Sequence, residues 1–284
     1  MDKRKENMKN FKETEQLCRQ HHYLRKAIRD SIEQQKVIAE TEVLTAEENV
    51  ERKYVKTKVI VSGNRSLEAA KEYRGKNICV LNFASATNPG GGVEHGASAQ
   101  EESLCRCSSL FNCLADSKVR DAFYTPHRRL QDPIYNADCI YTPNVVVFKT
   151  DTAIPQVMPE QEWYTVNVIS AAAPNLRERP SNAMNPCAGK KRVILKDSEL
   201  QKIHMERGRR ILDIAKSYYA EVLILGAFGC GAFRNSPQVV AEAYKKLMEE
   251  YNGFFETIEF AVFCNKTDTA NYDTFTRILK GGNV

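Results

Sequence analysis

Two short segments of this chain carry residue types and spacings suited to chemistry. The first reads Asn88-Pro89-Gly90-Gly91-Gly92, then seven residues, then Gln100-Glu101-Glu102. Three consecutive glycines lack Cβ atoms and reach positive φ, so their amides can turn together toward an anion such as a phosphate. No Gly-Lys-Ser/Thr follows and no GxGxxG is present, so neither a Walker loop nor a dinucleotide fingerprint fits. Glu101 and Glu102 place two carboxylates immediately behind that backbone anion site. Their plainer role is to complement the dipole in the first turn of a helix. The second segment is Gly226-Ala227-Phe228-Gly229-Cys230-Gly231-Ala232-Phe233, followed by Asn235 and Pro237. A glycine-rich loop that opens a helix suits a phosphate. On that loop Phe233 is placed either to pack against a sugar face or to plug the core.

These segments need a scaffold, and the hydrophobic pattern supplies one. Strands are expected at 55–61, 77–83, 144–149, 164–170, 221–225 and 258–264. Helices are expected at 67–73, from about Gln100 with an apolar face of Leu104, Cys107, Phe111 and Leu114, at 239–248, and at 271–279. A Ser198/Gln201 capping pattern opens another helix that runs to about Tyr219. The polar stretch from Ala173 to Lys191 reads as a long functional loop. Strands alternating with helices predict an α/β layered domain with a largely parallel sheet, in which ligands bind at the carboxyl ends of the strands. The first fifty or so residues differ: they lack Gly and Pro and are rich in Lys, Arg, Glu and Gln. Leu17, Leu24, Ile28 and Ile32 recur at helical spacing with His21 filling the gap. This predicts one or two amphipathic helices packed on the main body, serving stability alone or a partner. The division is a helical extension over 1–53 and a main domain over 54–284.

The chain has 284 residues, 42 % hydrophobic and 27 % charged, with a net charge of +5 from 41 basic and 36 acidic residues. That is ordinary globular chemistry, with a mild basic excess that tolerates an anionic ligand without demanding nucleic acid. No apolar run approaches the roughly 18 residues of a membrane span, and the charged N-terminus lacks a signal-type core. Nine cysteines, an odd number, read as free thiols in a reducing, cytoplasmic compartment. Cys105, Cys107 and Cys113 cluster, but no second pair or histidine completes a tetrahedral metal site, so no metal is expected.

Taken together, the two loops resemble the bacterial-type poly(ADP-ribose) glycohydrolases, a branch of the macrodomain superfamily. The resemblance rests on Gly90-Gly91-Gly92, seven residues, Gln100-Glu101-Glu102. It extends to Leu81-Asn82-Phe83-Ala84-Ser85, Glu102-Ser103-Leu104-Cys105-Arg106, Ser170-Ala171-Ala172-Ala173-Pro174-Asn175 and Gly229-Cys230-Gly231-Ala232-Phe233, in that order. It implies a three-layer α/β/α macrodomain with a mixed, largely parallel sheet. ADP-ribose would lie across the carboxyl edge with its diphosphate between the two glycine loops. Glu101 and Glu102 would be the two family glutamates, Glu102 the catalytic one, and Phe233 would orient the terminal ribose. Asn175 would border the pocket. Asn88 and Gln100 could bond ribose hydroxyls or fix the loop, and His95 faces ligand or solvent.

The implied reaction is hydrolysis of the ribose–ribose O-glycosidic bond through an oxocarbenium-like transition state, with no cofactor. Glu102 is expected to protonate the leaving oxygen and then, as carboxylate, to activate water. Glu101 points about 100° away on the helix and is expected to hold ribose hydroxyls. A carboxylic acid in the first role must keep its proton near neutrality. Burial, a neighbouring carboxylate and a bound diphosphate favour that, and the helix N-terminus opposes it. The partner is ADP-ribose or its polymer on modified protein, with no membrane and no direct nucleic-acid binding. Two other readings stay open: removal of a single ADP-ribose from protein or nucleic acid, and a module that binds ADP-ribose without cleaving it. Cys230 and Trp163 are expected to pack rather than react.

Overall fold

The computed structural model describes residues 2–43, 51–183 and 185–280. Residues 1 and 44–50 of the expected extension, 184 of the expected long loop and 281–284 of the main domain lie outside the described residues. The chain opens with α1 (Lys3–Gln20), α2 (His22–Gln34) and β1 (Lys36–Ile38). Then follow β2 (Lys58–Ser62), α3 (Ser66–Lys71), β3 (Ile78–Phe83), α4 (Gln100–Cys107), α5 (Leu110–Leu114), α6 (Ser117–Val119) and α7 (Thr125–Leu130). The second half contains β4 (Cys139–Val147), β5 (Tyr164–Ala171), α8 (Asp197–Ser217), β6 (Val222–Leu225), α9 (Pro237–Glu250), β7 (Thr257–Ala261) and α10 (Ala270–Lys280).

The seven strands form one sheet in the order β1-β4-β5-β3-β6-β7-β2. β5, β3, β6, β7 and β2 are parallel, and β4 and β1 add an antiparallel margin. Side chains alternate across a strand, so β3 sends Cys79 and Leu81 to one face and Ile78 and Val80 to the other. α8, α9 and α10 cover the first face through Ile211, Val240 and Phe275. α3, α4 and α5 cover the second through Leu67, Leu104 and Leu110. Helix, sheet and helix make the three-layer α/β/α arrangement that the resemblance implied.

Three expectations need correction. The helix from Gln100 does not run on to Leu114. It stops at Cys107, whose carbonyl accepts the N–H groups of Phe148 and Lys149, both at 3.1 Å. Ser108 is extended and bridges Val147, and the helix resumes at Leu110. The box that opens α8 is closed by Glu199, which accepts the backbone N–H of Lys196 at 2.8 Å, and not by Ser198 and Gln201. His21 does not fill a helical face: it is the extended residue at the junction of α1 and α2, its ring 5.0 Å from Trp163.

The N-terminal segment is built into the body. β1 extends the sheet beside β4. Phe11 of α1 is buried against Phe111, and Leu24 of α2 against Val146 and Phe148. Polar anchors fix α1 behind the first glycine loop. Asn7 donates to the Gly96 carbonyl (3.0 Å) and Thr14 to the Arg106 carbonyl (2.6 Å). The buried ammonium of Lys149 donates to the carbonyl of Asn10 (2.9 Å). No described helix is long and apolar enough to cross a membrane.

Candidate active site

The parallel strands β5, β3 and β6 are neighbours, so the loops leaving their carboxyl ends meet at one edge. β3 leads into the triple-glycine loop, β5 into the long loop after Ala171, and β6 into the second glycine loop. This is where an open α/β sheet binds its ligand.

Glu101 and Glu102 lie in the first turn of α4, and both are buried, 3 % and 7 % exposed. Helical side chains tilt toward the N-terminus, which aims both carboxylates back at the glycine loop. Oε2 of Glu101 accepts the N–H of Ser85 (2.8 Å), and Oε1 accepts the Asn82 amide (3.3 Å). The Gly90 N–H also bonds this carboxylate. Glu102 Oε1 accepts the N–H of Gly92 (2.8 Å), whereas its Oε2 is buried and has no hydrogen-bond partner among the described residues. Burial, and then the neighbouring Glu102, push the Glu101 carboxyl well above the usual carboxylate range. Gly91 sits between the two carboxylates at φ +59°, where a Cβ would stand 2.5 Å from Oε1 of Glu102.

The triple glycine therefore does form an anion-binding turn, but the anions it meets are the protein's own carboxylates. The amides of Gly90 and Gly92 were expected to face a phosphate and instead hold Glu101 and Glu102. The amides that remain for a phosphate are on the other loop. The N–H groups of Gly231, Ala232 and Phe233 donate to no protein acceptor among the described residues, and Gly231 has open space where a Cβ would be. Gly229 turns that loop at φ +79° and packs so tightly that a Cβ would meet that of Ala173 at 2.6 Å.

Two buried residues that the sequence did not mark as functional hold the second loop. Asn235 donates to the carbonyls of Pro174 (2.7 Å), Gly229 (3.1 Å) and Phe233 (3.2 Å), which ties it to the loop after β5. His204 donates through Nε2 to Asn235 Oδ1 (2.8 Å). Burial lowers the His204 imidazole to about 4, so it stays neutral. Phe233 is half-buried, with its ring 6.3 Å from that of Tyr135 and the Arg177 guanidinium 5.7 Å above it. It packs with Ala86 of the first loop and Ala172, so an aromatic face stands between the loops.

The remaining expected residues divide. Asn88 lies in the first loop and takes a bond from Arg128 (3.3 Å). Gln100 is spent on the scaffold: its amide accepts from Phe83 (2.9 Å) and donates to the Leu81 carbonyl (2.8 Å) and to Ser66 (3.0 Å). Asn175 is buried and braces the long loop, accepting from the Arg177 side chain at 2.9 Å. His95 is exposed on the outer turn of the first loop. Cys230 has no base beside it among the described residues, and burial pushes its thiol up to about 12. All nine cysteines are unpaired, and among the described residues no group of His, Cys, Asp or Glu is placed to hold a metal ion.

Asn82 could have been found: an amide inside an otherwise apolar strand must have a partner. It donates to Ser170 (2.9 Å) as well as to Glu101, which couples the carboxylate to β5. Tyr124, whose buried hydroxyl has no partner among the described residues and feels the Glu101 charge, lies in a segment without a periodic signal.

A family model described as microbial-type PARG, catalytic domain, matches residues 11–150. The poly(ADP-ribose) glycohydrolase of Thermomonospora curvata is 27 % identical with a TM-score of 0.81, over 95 % of this chain and 98 % of that one. The same enzyme bound to the inhibitor ADP-HPD gives a TM-score of 0.79. The Deinococcus radiodurans poly(ADP-ribose) glycohydrolase in complex with ADP-ribose is 31 % identical with a TM-score of 0.75, over 89 % of this chain and 97 % of that one. No curated protein sequence matches the chain. Identity at that level over nearly the whole of a solved relative, on the same fold, means that the chain belongs to the microbial-type poly(ADP-ribose) glycohydrolase family.

Proposed function

We propose that this protein hydrolyses the ribose–ribose O-glycosidic bond of poly(ADP-ribose), releasing ADP-ribose, with Glu102 as general acid and base. The observation that carries the assignment is the buried carboxylate oxygen of Glu102 that has no partner among the described residues, while its other oxygen is fixed by the Gly92 amide. In the first step protonated Glu102 donates its proton to the leaving ribose oxygen, and the bond from that oxygen to C1″ breaks. The sugar passes through an oxocarbenium-like state. The Glu102 carboxylate then takes a proton from water as the water oxygen attacks C1″, which returns the acid. A positioned acid–base group of this kind contributes about 10²–10⁴-fold.

Both oxygens of Glu101 already accept scaffold donors, so its share is positioning more than the ribose contact expected from sequence. It joins Ser85, just after β3, to Gly90 of the triple glycine. The free amides at Gly231 to Phe233 suit the diphosphate, and the ring of Phe233 suits the terminal ribose. The same reading keeps protein-linked polymer as the substrate, a reducing cytoplasm as the setting, no nucleic-acid partner, and residues 1–53 as an accessory to the domain at 54–284.

The test is ADP-ribose release from poly(ADP-ribosyl)ated protein by wild type, Glu102→Gln and Glu101→Gln, with binding of free ADP-ribose measured beside it. Release by wild type, near-abolition in Glu102→Gln and a smaller loss in Glu101→Gln are expected. Equal losses in the two variants would overturn the assignment of roles. Binding without release by wild type would overturn hydrolysis in favour of a reader.

A further inference from the structure

The chain's basic excess is concentrated in one place. Residues 177–196 carry six basic side chains (Arg177, Arg179, Lys190, Lys191, Arg192 and Lys196) against one acidic, Glu178. That is a net +5, equal to the net charge of the entire protein. Arg179, Lys190, Lys191, Arg192 and Lys196 are exposed, and none of the six forms an ion pair among the described residues. An unpaired cluster of one sign raises the local concentration of polyanions.

The inner side of the same segment is fastened to the site. Thr87 of the first loop donates to Asn185 Oδ1 (2.7 Å). Tyr135, the neighbour of Phe233, donates to the Ala188 carbonyl (3.1 Å), and Leu176, the residue just before the segment, donates its N–H to the Phe233 carbonyl (2.9 Å). Ser181 closes the segment on itself through the Gly189 carbonyl (2.8 Å). The positive charges thus sit on a strap anchored to both glycine loops, at the rim of the site.

We propose that Lys190, Lys191 and Arg192 form a second binding surface, for the ADP-ribose units that follow the one held in the site. Each such unit brings a diphosphate, so the occupant is a chain of regularly spaced dianions. The proposal rests on the polymer reading above. It adds that affinity for long substrate comes partly from a surface that never touches the scissile bond.

Steady-state release from long polymer and from a two-unit substrate tests it, with wild type against the triple variant Lys190→Ser/Lys191→Ser/Arg192→Ser. For three cations on a single-stranded polyanion, log KM should rise with log salt by about 2 more in wild type than in the variant. Between 50 and 200 mM salt that is a difference of about 16-fold. At 200 mM salt the variant should show KM for long polymer raised about tenfold, and at 50 mM about 160-fold, with kcat and the two-unit KM unchanged. Replacement by other cations, Lys190→Arg/Lys191→Arg, should keep the wild-type KM, and the exposed positions should leave Tm in place. An unchanged polymer KM, or an equal rise for the two-unit substrate, overturns the proposal. So does single-stranded DNA of the same charge that inhibits wild type as strongly as polymer does, because that would make the strap a nucleic-acid surface. Failure of wild type to cleave even the two-unit substrate would instead overturn the polymer reading itself.

Discussion

Gly91→Ala puts the carboxylate geometry to its sharpest test. The new Cβ would stand 2.5 Å from Oε1 of Glu102 and 3.0 Å from Oε2 of Glu101. Reaching even 3.0 Å requires Oε1 to move by roughly half an ångström from the place where the Gly92 amide fixes it at 2.8 Å. Misplacing a reacting group by about 1 Å can cost about 10²-fold in rate, so a fall in kcat of about 10- to 100-fold is expected. The left-handed backbone adds about 1 kcal/mol of strain for alanine, a loss of roughly 2–4 °C in Tm for a domain of this size. Gly75→Ala separates the two effects. Gly75 has φ +93° and nothing within 4 Å of its missing Cβ, so alanine there meets the strain without the collision. Initial rates at saturating polymer, read beside calorimetric Tm, should show lost stability in both variants and lost kcat only at position 91. A folded Gly91→Ala enzyme with kcat within about threefold of wild type would refute the role given to this close approach.

Three further outcomes follow from the site. Glu101 holds its proton more tightly when folded than at its ordinary value of 4.5, so its stabilising share is complete below that pH and lost as pH rises through the raised folded value. Glu101→Gln should therefore gain Tm relative to wild type as pH increases, and parallel melting profiles would contradict this. Asn235→Ala strips the donor from three carbonyls; it should destabilise by about 1–3 kcal/mol and raise KM about tenfold, a loss of about 1.4 kcal/mol, while kcat changes less. A kcat loss with unchanged KM would place Asn235 in the chemistry instead. Cys230→Ala should leave kcat within about twofold, since its thiol has no activating base; a loss of two orders of magnitude would reopen a nucleophilic role.

The parts of the fold that could be read in advance were those where a single periodicity decides. β3, β5, β6 and β7 are short apolar runs between turn residues, and each formed within a few residues of expectation. α4 shows the limit of that method. Its apolar face continues to Leu114, yet hydrogen bonds from Phe148 and Lys149, some forty residues away, end it at Cys107. β1 was missed because three residues joining an edge strand leave no periodic mark. At the site, the glutamates and both glycine loops stood out by composition alone. What composition withheld was direction: which loop offers its amides outward and which turns them on its own carboxylates. Asn235 and His204 were visible as residues, but their role depends on Pro174 and Phe228, which only the folded chain brings near.

The docking of α1 also sets an order of events during synthesis. Its anchors lie far downstream: Asn10 waits for Lys149, 139 residues later, and for Pro155, 145 residues later. At roughly 5–20 residues per second, the first helix is outside the ribosome for about 7–30 s before its seat exists. β2 waits longer still, because among the described strands it pairs with β7 alone, Lys58 against Thr257. A nascent chain cut near residue 140 would therefore contain both glutamates and the whole triple-glycine motif, yet leave Leu24 without Val146 and Phe148 and uncovered for a chaperone to find. The motif is translated early, and the second glycine loop that faces it is among the last parts to be completed.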